Sequence, residues 1–227
     1  MTAGLPPVLR REAQSNIRSF FGWPVKRARI EEQNRYLLRL QQDFRQSADI
    51  VTDALMNFEE VEAIAVIGSV AKSLWKEVPR FSEFRCAGIE LWHECKDLDL
   101  AVWISSQYRL GALRRARDVA LRKGYESGKG PSTANHQVEI FLIEPGTDRY
   151  LGRLCNLNAC PKDKPECRVP GCGAVLFNKC VDGFVPHADL LASATYAMLY
   201  RRGVGRLRSA LDLPGTSDPE PKAQSNS

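Results

Sequence analysis

Residues 97–104 read Asp-Leu-Asp-Leu-Ala-Val-Trp-Ile, an apolar run headed by two carboxylates two positions apart. On a strand, residues i and i+2 point to the same face. Asp97 and Asp99 therefore share a face at the strand's start, and Ala101 and Trp103 continue it. Leu98, Leu100 and Val102 form the opposite, packed face. Two like charges side by side in an apolar strand repel, and burying them without a partner is costly. Either they stand at an exposed strand end, or they hold a divalent cation. Mg²⁺ takes carboxylate oxygens and often bridges to substrate phosphates.

Two more short apolar runs complete a sheet. Ala63–Ile67 ends at Gly68-Ser69 and reads as a buried strand with a tight turn. Glycine there lets backbone approach a ligand, and a serine hydroxyl adds a phosphate contact. His136–Ile143 reads as a third strand, interrupted by Glu139 and stopped by Pro145-Gly146. The alternative for Glu139 is a solvent-facing strand residue.

Leu37, Leu40, Phe44, Ala48, Val51, Leu55 and Phe58 recur at spacings of three and four, which predicts an amphipathic helix over 31–58. A helix is expected to start at Val70 and run to Lys76, putting Lys72 one turn beyond the Gly-Ser turn. Ser105 and Ser106 are expected to cap a helix over 107–123, with Gly124 just past its end. A last helix is expected over 188–202, stopped by Gly203, and the Pro- and Ser-rich stretch from Pro214 reads as disordered.

Five of the seven cysteines fall between Cys155 and Cys180. Cys155-x4-Cys160-x6-Cys167-x4-Cys172 supplies four thiols among bend-forming prolines and glycines, a set able to close a tetrahedral structural Zn²⁺ site. Cys180 is a substitute ligand. Cys86, His93 and Cys95 are further metal-ligand candidates, against the plainer reading of buried thiols and a surface histidine. A loop so poor in apolar residues would draw its folding free energy from the metal.

With 227 residues the chain is one medium domain, or a core with one small appendage, and is large enough to fold without disulfides. Its longest apolar runs fall far short of the roughly 20 residues of a membrane span. No apolar segment follows the N-terminus, so the expected location is cytoplasmic. The net charge of +5 is carried by residues 1–45, with nine Lys/Arg against four Asp/Glu; Arg109–Lys129 is a second basic stretch. Such patches suit phosphate groups when they are not simply solvated helix faces.

Taken together, Ile67-Gly68-Ser69-Val70-Ala71, Asp97-Leu98-Asp99-Leu100 and Val138-Glu139-Ile140 resemble the polymerase-beta-type nucleotidyltransferase superfamily over about residues 60–145. The resemblance implies an α+β fold, a small mixed β-sheet core with flanking helices. It also implies that Gly68 and Ser69 hold the NTP phosphates, helped by Lys72. Asp97, Asp99 and Glu139 would bind two Mg²⁺ (or Mn²⁺) ions, and Glu139 would help activate an acceptor hydroxyl. The 27 residues between Ser69 and Asp97 exceed the family's usual separation, so residues 75–95 read as an insertion beside the site. The chain thus divides into an N-terminal helical region (1–59), the nucleotidyltransferase core (60–147), a Cys-rich zinc knuckle (148–186), a C-terminal helix (187–212) and a disordered tail (213–227).

The expected activity is transfer of a nucleoside monophosphate from an NTP to RNA, a protein or a small hydroxylated molecule. The basic patches favour RNA slightly, and a partner protein is expected if the chain belongs to a toxin or antitoxin pair. The alternatives are a zinc-knuckle nucleic-acid-binding module with an inactive core, and a partner-binding protein using the N-terminal helix. All three acids are present, which favours the enzyme.

Overall fold

A computed structural model describes residues 25–80, 82–154 and 196–216. The long helix α1 (Arg27–Leu55) turns one stripe inward, with Leu37, Phe44, Ala48, Val51 and Leu55 buried. It begins four residues before and ends three residues before the span expected from periodicity. β1 (Val61–Ile67) follows, then the single helical turn α2 (Gly68–Ala71). β4 (Leu98–Ile104), α4 (Leu110–Glu126) and β5 (Val138–Ile143) come next. The strands β6 (Tyr150–Arg153), β7 (Tyr196–Arg201) and β8 (Gly205–Arg206) complete the sheet. Between Trp75 and Cys95 lie the paired strands β2 (Lys76–Glu77) and β3 (Leu91–Trp92), with one turn of helix, α3 (Glu83–Cys86).

The fold is α+β, with a six-stranded mixed sheet in the order β6-β5-β4-β1-β7-β8. β4 is antiparallel to β1 and parallel to β5, and α4 makes the crossover between the parallel pair. Period-two alternation splits the sheet residues between two apolar clusters. Ile64, Val66, Leu98, Leu100, Val102, Val138, Ile140 and Leu142 pack with the inner stripes of α1 and α4. Ala63, Ala65, Ile67, Ala101, Trp103 and Ile143 form the opposite face with Tyr150. Asp99 and Glu139 lie on this second face, and Asp97, expected on the strand, stands in the bend just before β4.

Four expectations change. Tyr196–Arg201 is a strand, not the end of a helix: it pairs with the otherwise open edge of β1, with Ala65 opposite Met198 and Ile67 opposite Tyr196. The sheet therefore extends past the expected core boundary at 147, because β6 and β7 both belong to it. Leu213–Thr216 belongs to the fold rather than to a tail: Thr216 bridges Leu74, and Leu74 N–H donates to Gly215 O at 2.9 Å. Helix α4 starts at Leu110 and continues through Gly124. It stops where Gly128 takes a left-handed φ of 68°, the conformation glycine adopts most easily past a helix end. The rest of the expected tail and C-terminal helix, and Cys155, Cys160, Cys167, Cys172 and Cys180, lie outside the described residues. No helix among the described residues is long and apolar enough to cross a membrane.

Candidate active site

Register brings the three sequence features to one sheet end. Ile67 pairs with Asp99 across β1 and β4, and Asp99 pairs with Glu139 across β4 and β5. Gly68 follows Ile67 directly with φ +71°, a conformation that side chains with a Cβ rarely adopt. A Cβ placed there would come within 2.9 Å of Asp99 Oδ2. The turn and the carboxylate are therefore in contact, and glycine is what lets them be.

The turn is anchored from behind by a charged side chain buried in α1. Arg45 Nε donates to Val70 O at 3.1 Å, and Nη2 donates to Lys72 O at 3.1 Å. Nη1 and Nη2 also reach Leu213 O at 2.6 Å and Pro214 O at 2.9 Å. Gln41 Nε2 adds a bond to Lys72 O at 2.9 Å. One guanidinium thus satisfies carbonyls of two segments that have no regular partners. Opposite, the fully buried Arg117 of α4 donates from Nη1 to Val138 O at 3.2 Å, fixing the residue before Glu139.

The carboxylates sense one another. Burial, then the neighbouring Glu139 and Asp97 charges, push Asp99 up to about 7, while Arg153 pulls the other way. Asp97 is exposed as a residue but partly desolvated at its carboxylate. That desolvation and the Glu139 charge hold it above the ordinary carboxylate range, against His136, Lys96 and Arg153. Glu139 is half-buried, and its Oε1 lies 2.5 Å from Arg153 Nη1. Among the described residues no three His, Cys, Asp or Glu side chains gather as a metal-binding cluster. The pair Asp97–Asp99 offers oxygen donors of the kind that suit Mg²⁺.

Of the expected phosphate ligands, Gly68 stands beside Asp99, Ser69 follows it in the turn, and Lys72 does not stand on a helix. α2 ends at Ala71, and Lys72 is extended (φ −100°, ψ 161°) and exposed. Its carbonyl is claimed by Arg45 and Gln41, which stops the helix there. Ser69 shares a hydrogen bond with the buried thiol of Cys95, which burial pushes up. Cys86 is exposed, and His93 stacks on Trp75 with centroids 4.0 Å apart while its Nδ1 meets Glu77 Oε1 at 2.9 Å. Cys86, His93 and Cys95 therefore do not converge.

The insertion packs on α1, where Trp92 N–H donates to Asn34 Oδ1 at 2.9 Å. Between them lies a cleft of about 720 Å³ whose walls include Trp92, Phe84, His93 and Lys96. Lys96, the last of these in the chain, immediately precedes Asp97, and the acids themselves do not line the cleft. Arg45 and Arg153 are the residues that sequence reasoning missed. Arg45 announces itself only as a charge beside Phe44 on an apolar stripe. Arg153 reads in the sequence as part of the basic Cys-rich segment.

Neither a protein-family model nor a curated protein matches this chain.

Proposed function

We propose that the chain is a metal-dependent nucleotidyltransferase with a polymerase-beta-type core. It would move a nucleoside monophosphate from an NTP to a hydroxyl acceptor and release pyrophosphate. The observation that carries this reading is the continuous register Ile67–Asp99–Glu139 with Gly68 packed against Asp99. The Gly68-Ser69 turn, Asp99 and Glu139 share one sheet end, with Asp97 in the bend just before β4.

Asp97 and Asp99 would hold Mg²⁺ or Mn²⁺, with Glu139 as the third ligand. Bound there, the metal supplies Lewis-acid stabilisation of the oxygens that gain charge around the α-phosphorus. The chain's own groups do the rest. The Gly68-Ser69 backbone lets the triphosphate approach without a side chain between, and the Ser69 hydroxyl donates to a phosphate oxygen. Lys72 supplies positive charge from the exposed rim. The acceptor oxygen attacks the α-phosphorus, the α–β bridging P–O bond breaks, and Glu139 accepts the hydroxyl proton. The acceptor is a hydroxyl of RNA, of a protein or of a small molecule. The basic patches at 1–45 and 109–129 favour RNA in that role. Cys155, Cys160, Cys167 and Cys172 would hold a structural Zn²⁺.

A second reading, a nucleic-acid-binding module on an inactive core, draws on the Glu139–Arg153 ion pair. One experiment separates them. The protein is incubated with each α-labelled NTP and Mg²⁺ or Mn²⁺, with total RNA or cell lysate, beside Asp97→Ala/Asp99→Ala. A labelled product absent from the variant supports nucleotidyl transfer and identifies the acceptor class. No label from folded, Zn-loaded protein favours the binding module.

A further inference from the structure

Arg153 stands on the edge strand of the sheet. It closes β6, and its backbone pairs with Phe141, two residues beyond Glu139 on β5. That diagonal sends its side chain to the acidic end of the sheet, where Nη1 meets Glu139 Oε1 at 2.5 Å. Its charge also bears on Asp97 and Asp99. The pair is neither a solvated surface bridge nor a sealed one, since the two side chains keep 28% and 24% of their exposure. The guanidinium thus pairs with Glu139, bears electrostatically on the two aspartates, and remains within reach of water. A divalent cation drawn to the same carboxylates must compete with Arg153 for Glu139.

We propose that Arg153 is an exchangeable internal counter-cation. It occupies Glu139 until a divalent cation takes that carboxylate, and the released guanidinium then binds the phosphates of the incoming NTP, so that metal and nucleotide bind cooperatively. This rests on the nucleotidyltransferase reading and adds a positioning residue to it. Exchange is chemically sound because guanidinium forks match phosphate and carboxylate equally well. Cooperation follows from linkage: the nucleotide binds best to the arrangement that the metal has already freed, and the reverse holds equally.

The test is Mn²⁺ binding to the full chain, read from the loss of the free-ion paramagnetic signal, with and without α,β-methylene ATP or its GTP counterpart. In wild type the nucleotide analogue tightens Mn²⁺ binding. Arg153→Gln binds Mn²⁺ alone roughly tenfold more tightly, the scale of one lost charge-assisted bond, and the analogue no longer helps. Arg153→Lys keeps the charge and lies between, which leaves the question decidable if the glutamine variant does not fold. Unchanged or weaker Mn²⁺ binding by folded Arg153 variants, with binding still abolished by Asp99→Asn, overturns the exchange and spares the nucleotidyltransferase reading. Mn²⁺ binding that is absent in wild type, or indifferent to Asp99→Asn, overturns both.

Discussion

The position of a Cβ on Gly68 would lie 2.9 Å from Asp99 Oδ2, closer than real Cβ atoms come to their neighbours. The carboxylate is held by the strand register, and Gly68 already sits at φ +71°, so neither side yields cheaply. Gly68→Ala is expected to cost roughly 1–2 kcal/mol from backbone handedness alone, and to displace Asp99 as well. Urea denaturation should show that loss together with weakened Mn²⁺ binding. A variant with wild-type stability and Mn²⁺ affinity would mean that the turn does not constrain the acid.

Asp99 makes the fold sensitive to pH in a defined sense. Its folded proton affinity, about 7, exceeds its ordinary value of 3.8. The folded state therefore binds more protons than the unfolded state between those limits, and stability falls as pH rises through that window. At about 1.4 kcal/mol per unit the effect amounts to a few kcal/mol. In the presence of a chelator, Asp99→Asn should be more stable than wild type at pH 8, with the advantage vanishing near pH 4. Parallel stability curves for the two proteins would contradict the burial of that charge.

Arg45 joins α1 to carbonyls of the segment after β1 and of the C-terminal segment, one of them 168 residues away. Arg45→Met keeps much of the stem and removes every donor. The orphaned carbonyls of Val70, Leu213 and Pro214 should cost roughly 2–4 kcal/mol together, while Lys72 O keeps its bond from Gln41. Hydrogen exchange should rise at Leu74, whose N–H depends on Gly215. Wild-type protection at Leu74 would show that the C-terminal segment docks without the arginine.

The acids, the Gly-Ser turn and the two sheet faces were legible because each is a local signal. Alternation of period two places Asp99 and Glu139 without knowledge of any partner, whereas Asp97 falls in the bend before the strand that alternation assigned to it. β7 was not legible: Tyr-Ala-Met-Leu-Tyr-Arg suits a helix as well as a strand, and only the open edge of β1 decides. Helix α2 was overextended in sequence for a related reason. Nothing near Lys72 shows that Arg45 and Gln41 will take its carbonyl. Arg153 likewise acquires its meaning from Glu139 on the neighbouring strand.

The proposed zinc site makes a prediction that the topology sharpens. β6 ends at Arg153 and β7 begins at Tyr196, yet β5, β4 and β1 lie between them in the sheet. The connecting chain must therefore span four strand spacings, about 19 Å, and return β7 to the edge of β1. A metal that organises Cys155, Cys160, Cys167 and Cys172 would shorten the search for that pairing, since closing a long loop costs conformational entropy. Elemental analysis should find about one Zn per chain. Chelation, or Cys160→Ser with Cys167→Ser, should lower the melting temperature and expose the amides of Ala65 and Ile67 to exchange. Folded protein without zinc, whose melting temperature ignores chelators, would remove the metal from the account and leave β7 to pair on its own.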